Sequence, residues 1–300
     1  MSIISAALRT RERGQQARFA RTGFAESTLA ELAWQHTKSA AGRWASTGAV
    51  VGALAGLIAF APAAWLATAV ASATGDRVLL TDARGTLWNG SALPVLTGGP
   101  GSRDASALPG RLEWSLAWRG LAVELRARQA CCLRGELRAL VRPRFGGFSV
   151  QVTPAESSTI GQWPADWLSG LGTPWNTLQL AGTLRLTSPG LTIESVQGRV
   201  RFSGEAALDV ANASSRVATL DTLGSYRLSV RGNAASGDAA SLSLITLDGA
   251  LRLSGQGEWT GTGLRFRGEA QAADGNESAL SNLLNIIGRR QGARSVISIG

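Results

Sequence analysis

Residues 44–75 form a stretch of 32 residues without Asp, Glu, Lys, Arg or His, in a chain that is otherwise polar. A membrane-spanning helix needs about 20 apolar residues to cross roughly 30 Å of hydrocarbon, and this run is longer. Trp44 and Trp65 are 21 positions apart. That spacing is about 31 Å along a helix, so each indole can lie at one membrane interface. The sequence therefore predicts a transmembrane helix over residues 44–73.

Two other interpretations of this run compete with the anchor. Ala71 and Ala73 resemble the cleavage site of a secretory signal, but 43 residues precede the run. A signal peptide also has an apolar core of only about 7 to 15 residues. A core helix of a soluble protein fits poorly with the short β-like segments that follow. An uncleaved membrane anchor is the interpretation that fits best.

The charges before the run predict its orientation. Seven basic residues and three acidic residues lie in residues 1–43. Because basic residues are retained on the cytoplasmic side, the N-terminal tail is expected in the cytoplasm. Residues 75–300 then form a domain on the far side, which is the periplasm of a bacterium.

Charge and composition argue against nucleic-acid binding and catalysis. The formal charge is +9, yet 29 of the 30 basic residues are Arg and they are scattered, without a basic block or a nucleic-acid motif. The only histidine, His36, precedes the run, so an imidazole base beyond it is excluded. No phosphate-binding glycine loop is present. The sequence thus predicts no enzyme, no cofactor and no metal site.

The region from residue 75 onward has an apolar period of two, with turn residues about every ten positions. One example is the alternation of Leu112, Trp114, Leu116 and Trp118 with smaller or polar residues. This pattern is typical of many short antiparallel strands with one dry and one wet face. The predicted fold is therefore mainly β, a single N-terminal transmembrane helix followed by an extended, repetitive antiparallel sheet.

Three segments stand out from this alternation. Residues 153–175 contain three prolines and three tryptophans and predict a loop or a short helical excursion. Residues 182–206 and 249–270 both read Gly-x-Leu-Arg-Leu, a loop, then Arg-Phe-x-Gly-Glu-Ala, which favours a duplicated unit over chance similarity. Residues 280–287 predict a short amphipathic C-terminal helix, with Ser278 as its cap and Gly288 as its stop. Its apolar stripe is expected to cover the dry face of the sheet, and residues 295–299 to form a closing strand.

Cys131 and Cys132 are adjacent and would lie in an oxidising compartment. Neighbouring Cα atoms are about 3.8 Å apart, below the usual 4.4 to 6.8 Å of a disulfide. Three states stay open: a local disulfide, links to another chain, or two thiols on opposite faces of a strand.

Gly48, Gly52 and Gly56 repeat every four residues inside the predicted membrane helix. Small residues on one helical face let two helices approach closely in lipid. The spacing favours a helix–helix contact, either with a second copy of the chain as a homodimer or with a different subunit.

The string GTLWNGSA at residues 85–92 is the most specific in the chain, and Asn89–Gly90 predicts a two-residue type I′ hairpin turn. Around it stand APAAWL at 61–66, LPGRLEWSL at 108–116 and NLLNIIGRRQGARSVISIG at 282–300. This order, over about residues 44–300, resembles the type II secretion system protein N family of Gram-negative bacteria. The matching signature positions are Gly85, Thr86, Leu87, Trp88 and Gly90. The 43 leading residues depart from the short leader of that family and are either an extra cytoplasmic tail or the result of an upstream start.

The resemblance implies an accessory subunit of the general protein secretion machine, anchored once in the inner membrane. It implies no catalytic role, and it implies contacts with the outer-membrane secretin and the inner-membrane platform proteins. The alternative is an AsmA-like envelope protein with a lipid-handling β-groove, because strands of the GxLxLxG type after a single span also resemble those proteins.

Overall fold

The computed structural model describes residues 44–154, 158–232 and 239–300. They form two compact units, one up to Phe60 and one from Ala61 to Gly300. The predicted cytoplasmic tail, residues 1–43, lies outside the described residues.

The first unit contains helix α1, residues 44–59. Its large side chains are exposed: Trp44, Val50, Val51, Leu54, Leu57 and Ile58, followed by Phe60. Within the described parts of the chain, no helix is both long enough and apolar enough to cross a membrane.

Helix α2, Ala63–Thr74, belongs to the second unit. The sequence predicts one helix over residues 44–73, whereas the structure interrupts the helix at residues 60–62. Pro62 provides the physical reason, since it has no N–H to donate to a preceding helical turn and sits instead at the N-cap of α2. Ala63 is buried against the sheet, so α2 is part of the folded domain.

The second unit is built on one antiparallel sheet. Its strands along the described chain are β1 Val78–Gly85, β2 Asn89–Thr97, β3 Ala105–Ala107, β4 Leu112–Arg119, β5 Ala122–Gln129, β6 Leu137–Arg144, β7 Gly147–Pro154, β8 Thr159–Pro164, β9 Leu180–Val196, β10 Arg199–Ser215, β11 Gly224–Gly232, β12 Ala240–Asp248, β13 Leu251–Trp259, β14 Leu264–Ala272, β15 Arg289–Gln291 and β16 Arg294–Ile299. The order across the sheet is β1-β2-β4-β5-β6-β7-β9-β10-β11-β12-β13-β14-β16-β15, with β3 beside β2 and β8 beside β9. The prediction of a mainly antiparallel β fold is confirmed.

The register puts large apolar residues on one face of the sheet. One row of directly paired residues crosses six strands: Trp118, Val123, Val141, Val150, Ile193 and Phe202. A row on the other face reads Ser115, Arg126, Arg138 and Thr153. Because successive residues of a strand point to opposite faces, the period-two pattern of the sequence becomes one apolar face and one polar face.

Two apolar cores lie on this sheet. The first joins Ala63 of α2 to Ala92 and Trp114. The second places helix α4, Glu277–Ile287, over β11, β13 and β14, and it buries Leu280, Leu283 and Leu284. Between the two cores the residues of the apolar row, such as Val150 and Ile193, are half-buried.

The predicted C-terminal helix and closing strand are confirmed, with one change at the helix start. Asn276, not Ser278, occupies the N-cap position, and Ser278 lies inside the first turn. Helix α4 covers the apolar face as expected, since Leu280 and Leu284 are fully buried.

The break at residues 153–175 was only partly predicted. A 3-10 helix, Ala165–Leu171, provides the helical excursion, and α3, Trp175–Leu178, follows it. Thr159–Pro164, however, forms strand β8 beside β9, with Trp163 paired to Leu184. Pro164 is tolerated because it is the last residue of that strand.

The two similar segments both fold as antiparallel hairpins, β9–β10 and β13–β14. Their matching first glycines, Gly182 and Gly249, have nearly the same φ, +129° and +128°. The segments therefore share a supersecondary unit, and their common origin by duplication stays a prediction.

Replacing Leu284 by Ala should reduce the free energy of unfolding by about 2–5 kcal/mol, because it leaves a cavity under α4. Ile286 of the same helix is 36% exposed, so Ile286→Ala should cost less than about 1 kcal/mol. Urea unfolding of the full chain in detergent, followed by tryptophan fluorescence, measures both. Equal losses for the two variants would contradict this packing of α4.

Candidate functional site: the hairpin junction

The β1–β2 hairpin carries the signature predicted from the sequence. Its turn is formed by Thr86, Leu87 and Trp88, and Gly85 pairs with Gly90 across its base. The hairpin itself was predicted correctly, but the type I′ turn at Asn89–Gly90 was wrong, because neither residue has a positive φ and both lie in β2. The positive φ of +88° falls on Gly85.

The turn is closed by hydrogen bonds between Thr86 and Asn89. The Thr86 N–H donates to the Asn89 carbonyl at 2.8 Å, and the Asn89 N–H donates to Thr86 Oγ1 at 3.1 Å. Asn89 therefore acts through its backbone at the first position of a strand. This explains why a sequence signal for a tight turn fell three residues too late.

Gly90 permits the hairpin to approach a neighbouring tryptophan. A Cβ at this position would lie 2.6 Å from Trp114 Cζ2 and 2.8 Å from the Thr86 carbonyl oxygen. Such contacts are too short for any real side chain, so glycine is required here by close packing.

Four further contacts make this hairpin a junction, which we define as Ala61, Leu87, Trp88, Gly90 and Trp114. The Leu87 N–H donates to the Ala61 carbonyl at 2.7 Å, and Trp114 Nε1 donates to the Leu87 carbonyl at 3.1 Å. The Leu116 N–H donates to the Trp88 carbonyl at 2.7 Å. Trp88 also packs on Trp118, with ring centroids 6.0 Å apart.

The junction brings three of the sequence strings together. Ala61 belongs to APAAWL, Leu87 to GTLWNGSA and Trp114 to LPGRLEWSL. Hydrogen bonds join the three strings. The Leu87 carbonyl accepts from the Trp114 indole N–H, and the Leu87 N–H donates to the Ala61 carbonyl just before α2. The hairpin thus fixes the entry of the chain into the sheet.

A charged clamp lies beside the junction. Arg111 Nη1 contacts Asp82 Oδ2 at 2.7 Å, and its Nη2 donates to the Asp82 carbonyl at 2.6 Å. The same guanidinium donates to Ser91 Oγ and to the Ser91 carbonyl, both at 3.1 Å. These hydrogen bonds from Arg111, and a second ion pair with Arg84, lower the pKa of Asp82 below its ordinary value. The clamp joins β1, β2 and the residue preceding β4.

Sequence reasoning missed Asp82 and its partner. Arg111 stands inside the quoted string LPGRLEWSL, but Asp82 is 29 positions away. Asp82 has a φ of +49° at an irregularity in the β1–β2 register. Aspartate tolerates this left-handed conformation better than most residues. An unexpected aspartate inside an apolar strand, VLLTDARG, is the only signal that sequence provides.

The other predicted site residues are not part of the junction. Gly48, Gly52 and Gly56 occupy α1, with open space where a Cβ would stand on each. The Sγ atoms of Cys131 and Cys132 are 1.95 Å apart, at bonding distance, in the loop between β5 and β6. They line a cleft with Arg134, Gln162 and Trp163.

The chemistry of the described residues is that of packing and ion pairing. Among them, no group of three or more His, Cys, Asp or Glu side chains is placed to hold a metal ion. The lowered carboxylate pKa values at Asp82, Glu124, Glu136 and Asp209 all result from paired arginines on the polar face. Burial raises the pKa of Tyr226, whose hydroxyl donates to the Leu251 carbonyl at 3.0 Å.

The fold defines a β-sheet protein, built on one long antiparallel sheet with an interlocked N-terminal hairpin. Residues 76–297 match the family described as type II secretion system (T2SS), protein N. The chain belongs to this family and is therefore a component of the type II secretion system. No curated protein and no solved structure gives a significant match.

Substituting Gly90 by Ala should destabilise the fold by about 1–3 kcal/mol, because the new methyl group would force Trp114 and the turn apart. Gly263 offers a matched control, since its Cβ would meet nothing within 4 Å and it lacks a positive φ. Thermal or urea unfolding of both variants measures the difference. A Gly90→Ala protein as stable as Gly263→Ala would contradict the close approach described here.

The Arg111–Asp82 clamp should make part of the stability depend on pH. Because the folded-state pKa of Asp82 is lowered, its contribution is present above the ordinary carboxyl pKa of about 4 and is lost as pH falls through the folded value. The stability difference between wild type and Asp82→Asn should therefore shrink on acidification. Asn is chosen because it tolerates the φ of this position.

A second pair of proteins isolates the clamp from other carboxylates. In an Arg111→Gln background, Asp82→Asn should have a smaller effect at neutral pH, since the main hydrogen-bond donor is gone. Unfolding curves at several pH values measure all four proteins. An effect of Asp82→Asn that is independent of both pH and Arg111 would rule out the clamp.

Proposed function

We propose that this protein is an accessory subunit of the type II secretion system, anchored once in the inner membrane with its sheet domain in the periplasm. It acts by protein contact with the secretin and the inner-membrane platform proteins and performs no catalysis. The observation that carries the proposal is the family match over residues 76–297, which covers nearly the whole sheet domain.

The proposed anchor is residues 44–60. These 17 residues carry no charge, and at about 1.5 Å per residue they extend roughly 26 Å, near the lower limit for a span. The exposed side chains of Trp44, Val50, Leu54 and Phe60 support this assignment, because an apolar helix surface of this kind requires lipid or protein around it. The basic excess of residues 1–43 supports a cytoplasmic N-terminus.

The anchor also offers a contact surface inside the membrane. Gly48, Gly52 and Gly56 leave one strip of α1 without side chains, and such a strip suits close packing with another helix. That helix belongs either to a second copy of this chain or to a platform protein.

The polar face of the sheet suits contacts with other subunits outside the membrane. Paired charges cross it from strand to strand, including Arg119–Glu124, Arg227–Asp209 and Arg231–Glu205. At the edge of an interface, charges of both signs chiefly determine which partner binds and in which register, and they contribute less to affinity. The bond between Cys131 and Cys132 fits an oxidising compartment such as the periplasm.

One observation favours the lipid-handling β-groove as a second candidate function. Between the two cores, the apolar row through Val141, Val150 and Ile193 is only half-buried. A groove for acyl chains needs apolar side chains that are accessible in this way. The filled core under α4 argues against it in the C-terminal part of the sheet.

Co-purification from the native host tests both functions. The full chain, tagged after Gly300 and extracted in mild detergent, should recover the secretin and platform subunits by mass spectrometry. A matched variant carries an unrelated single-span helix in place of residues 44–60, and it should keep every partner that contacts the sheet. Recovery of phospholipid in defined stoichiometry, without any secretion subunit, would instead favour the lipid groove and overturn the first proposal.

A further inference from the structure

Large apolar side chains project into solvent at one end of the sheet. We name Trp118, Leu121, Phe145 and Phe148 the aromatic rim. Their exposed fractions are 65%, 89%, 105% and 46%. Clusters of exposed large apolar residues are uncommon on soluble surfaces and usually mark a contact with protein or membrane.

The four rim residues belong to two hairpins that end on the same side. Arg119 pairs with Ala122 at the β4–β5 tip, and Arg144 pairs with Gly147 at the β6–β7 tip. Strands β5 and β6 are neighbours through the pair of Val123 and Val141. With strands about 4.8 Å apart, the two tips form one continuous surface rather than two separate patches.

The chain enters the sheet domain at this same end. The Ala61 carbonyl accepts from Leu87, and the next turn residue, Trp88, packs on Trp118 of the rim. Phe60, the last residue of the proposed anchor, is joined to Ala61 by a single peptide bond. A chain that leaves the bilayer at this point therefore enters the domain within a few residues of the rim.

Three arginines and two glutamates lie next to the rim. Arg119 pairs with Glu124 at 2.8 Å and Arg144 with Glu194 at 3.2 Å, while both arginine side chains stay more than half exposed. Arg142 Nη1 donates to the neutral amide oxygen of Gln151 at 3.2 Å. Arginine beside Trp, Phe and Leu is the combination that binds at the headgroup level of a bilayer, where phosphates and acyl chains meet.

We infer that the aromatic rim is a second membrane contact, which inserts into the periplasmic leaflet of the bilayer that residues 44–60 cross. Trp118, Leu121 and Phe145 enter the headgroup layer, and the neighbouring arginines pair with lipid phosphates. This inference rests on the proposed anchoring. Its consequence is a fixed orientation, with the strands directed away from the membrane and the end that bears α4 facing the outer membrane.

The long strands set how far the domain extends from the membrane in this orientation. Strand β10 begins beside the β9 residue Val196, at the end where β7 starts, and runs 17 residues towards the far end. At about 3.3 Å per residue this is roughly 50 Å. A domain that stands upright on the rim therefore extends its far end well into the periplasm.

Depth-dependent fluorescence quenching in nanodiscs tests the inference with the full chain. The only two cysteines, Cys131 and Cys132, are bonded to each other, so an introduced cysteine is the only free thiol when no reductant is added. Three single variants receive an environment-sensitive fluorophore: Phe145→Cys on the rim, Leu54→Cys in the anchor and Asp248→Cys at the far end of β12. The nanodiscs contain phosphatidylglycerol and phosphatidylcholine, with a nitroxide on either the headgroup or the acyl chain.

The inference expects headgroup nitroxide to quench the fluorophore at position 145 several-fold more than at position 248, while acyl-chain nitroxide quenches position 54. Quenching at 145 should weaken with phosphatidylcholine alone, and also after Arg119→Gln and Arg144→Gln. If position 54 is quenched but 145 is no better quenched than 248, the rim contact is wrong and the anchor stands. If position 54 is not quenched either, the proposed anchoring itself fails.

Leu121→Cys provides an independent position on the other rim hairpin, should the Phe145 variant fold poorly. It should give the same headgroup quenching as position 145. Wild-type chain exposed to the same fluorophore controls for reaction at Cys131 and Cys132. A rim that binds a protein instead of lipid would leave both positions unquenched in nanodiscs that hold this chain alone, and that result would overturn the inference.

Discussion

The register of one continuous antiparallel ladder is the constraint on which the rest of this structure depends. A shift of one residue in any strand would exchange the apolar and polar faces, because side chains alternate along a strand. The row from Trp118 through Val141 to Phe202 exists only because every pairing keeps the same phase. Both cores, the two helices that cover them and the paired charges on the opposite face follow from this phase.

The junction fixes the register of the first strands of the sheet. Gly90 brings β2 against Trp114 of β4, and the indole then donates to the turn of the β1–β2 hairpin. The Arg111 clamp adds bonds to β1 and β2 from the residue just before β4. Three strands are thereby locked by side chains in addition to backbone hydrogen bonds. The later strands are joined mainly by short hairpins, which carry the register onward.

Much of this architecture could be predicted from the sequence, because an alternating pattern and a 3.6-residue pattern are local properties. The strand content, helix α4 and the closing strand β16 were found in this way. What the sequence could not give were features fixed by distant groups. The turn at Thr86–Trp88 depends on Ala61 and Trp114, and the Asn89–Gly90 signal pointed to the wrong position. Asp82 and Arg111 meet only after β1 and β4 have taken their places on either side of β2.

The uncharged run, residues 44–75, also contains a boundary that sequence composition does not predict. Composition does not distinguish residues 44–60 from Ala63–Thr74, since neither segment carries a charge. Pro62 and the burial of Ala63 separate them in the structure.

The separation places the start of the sheet domain at Ala61. The Ala61 carbonyl accepts a hydrogen bond from the Leu87 N–H of the first hairpin, so the domain is folded from its first residue. Under the proposed function, a domain that is folded from its first residue suits contacts of defined geometry, whereas a mobile tether favours capture over a wide volume.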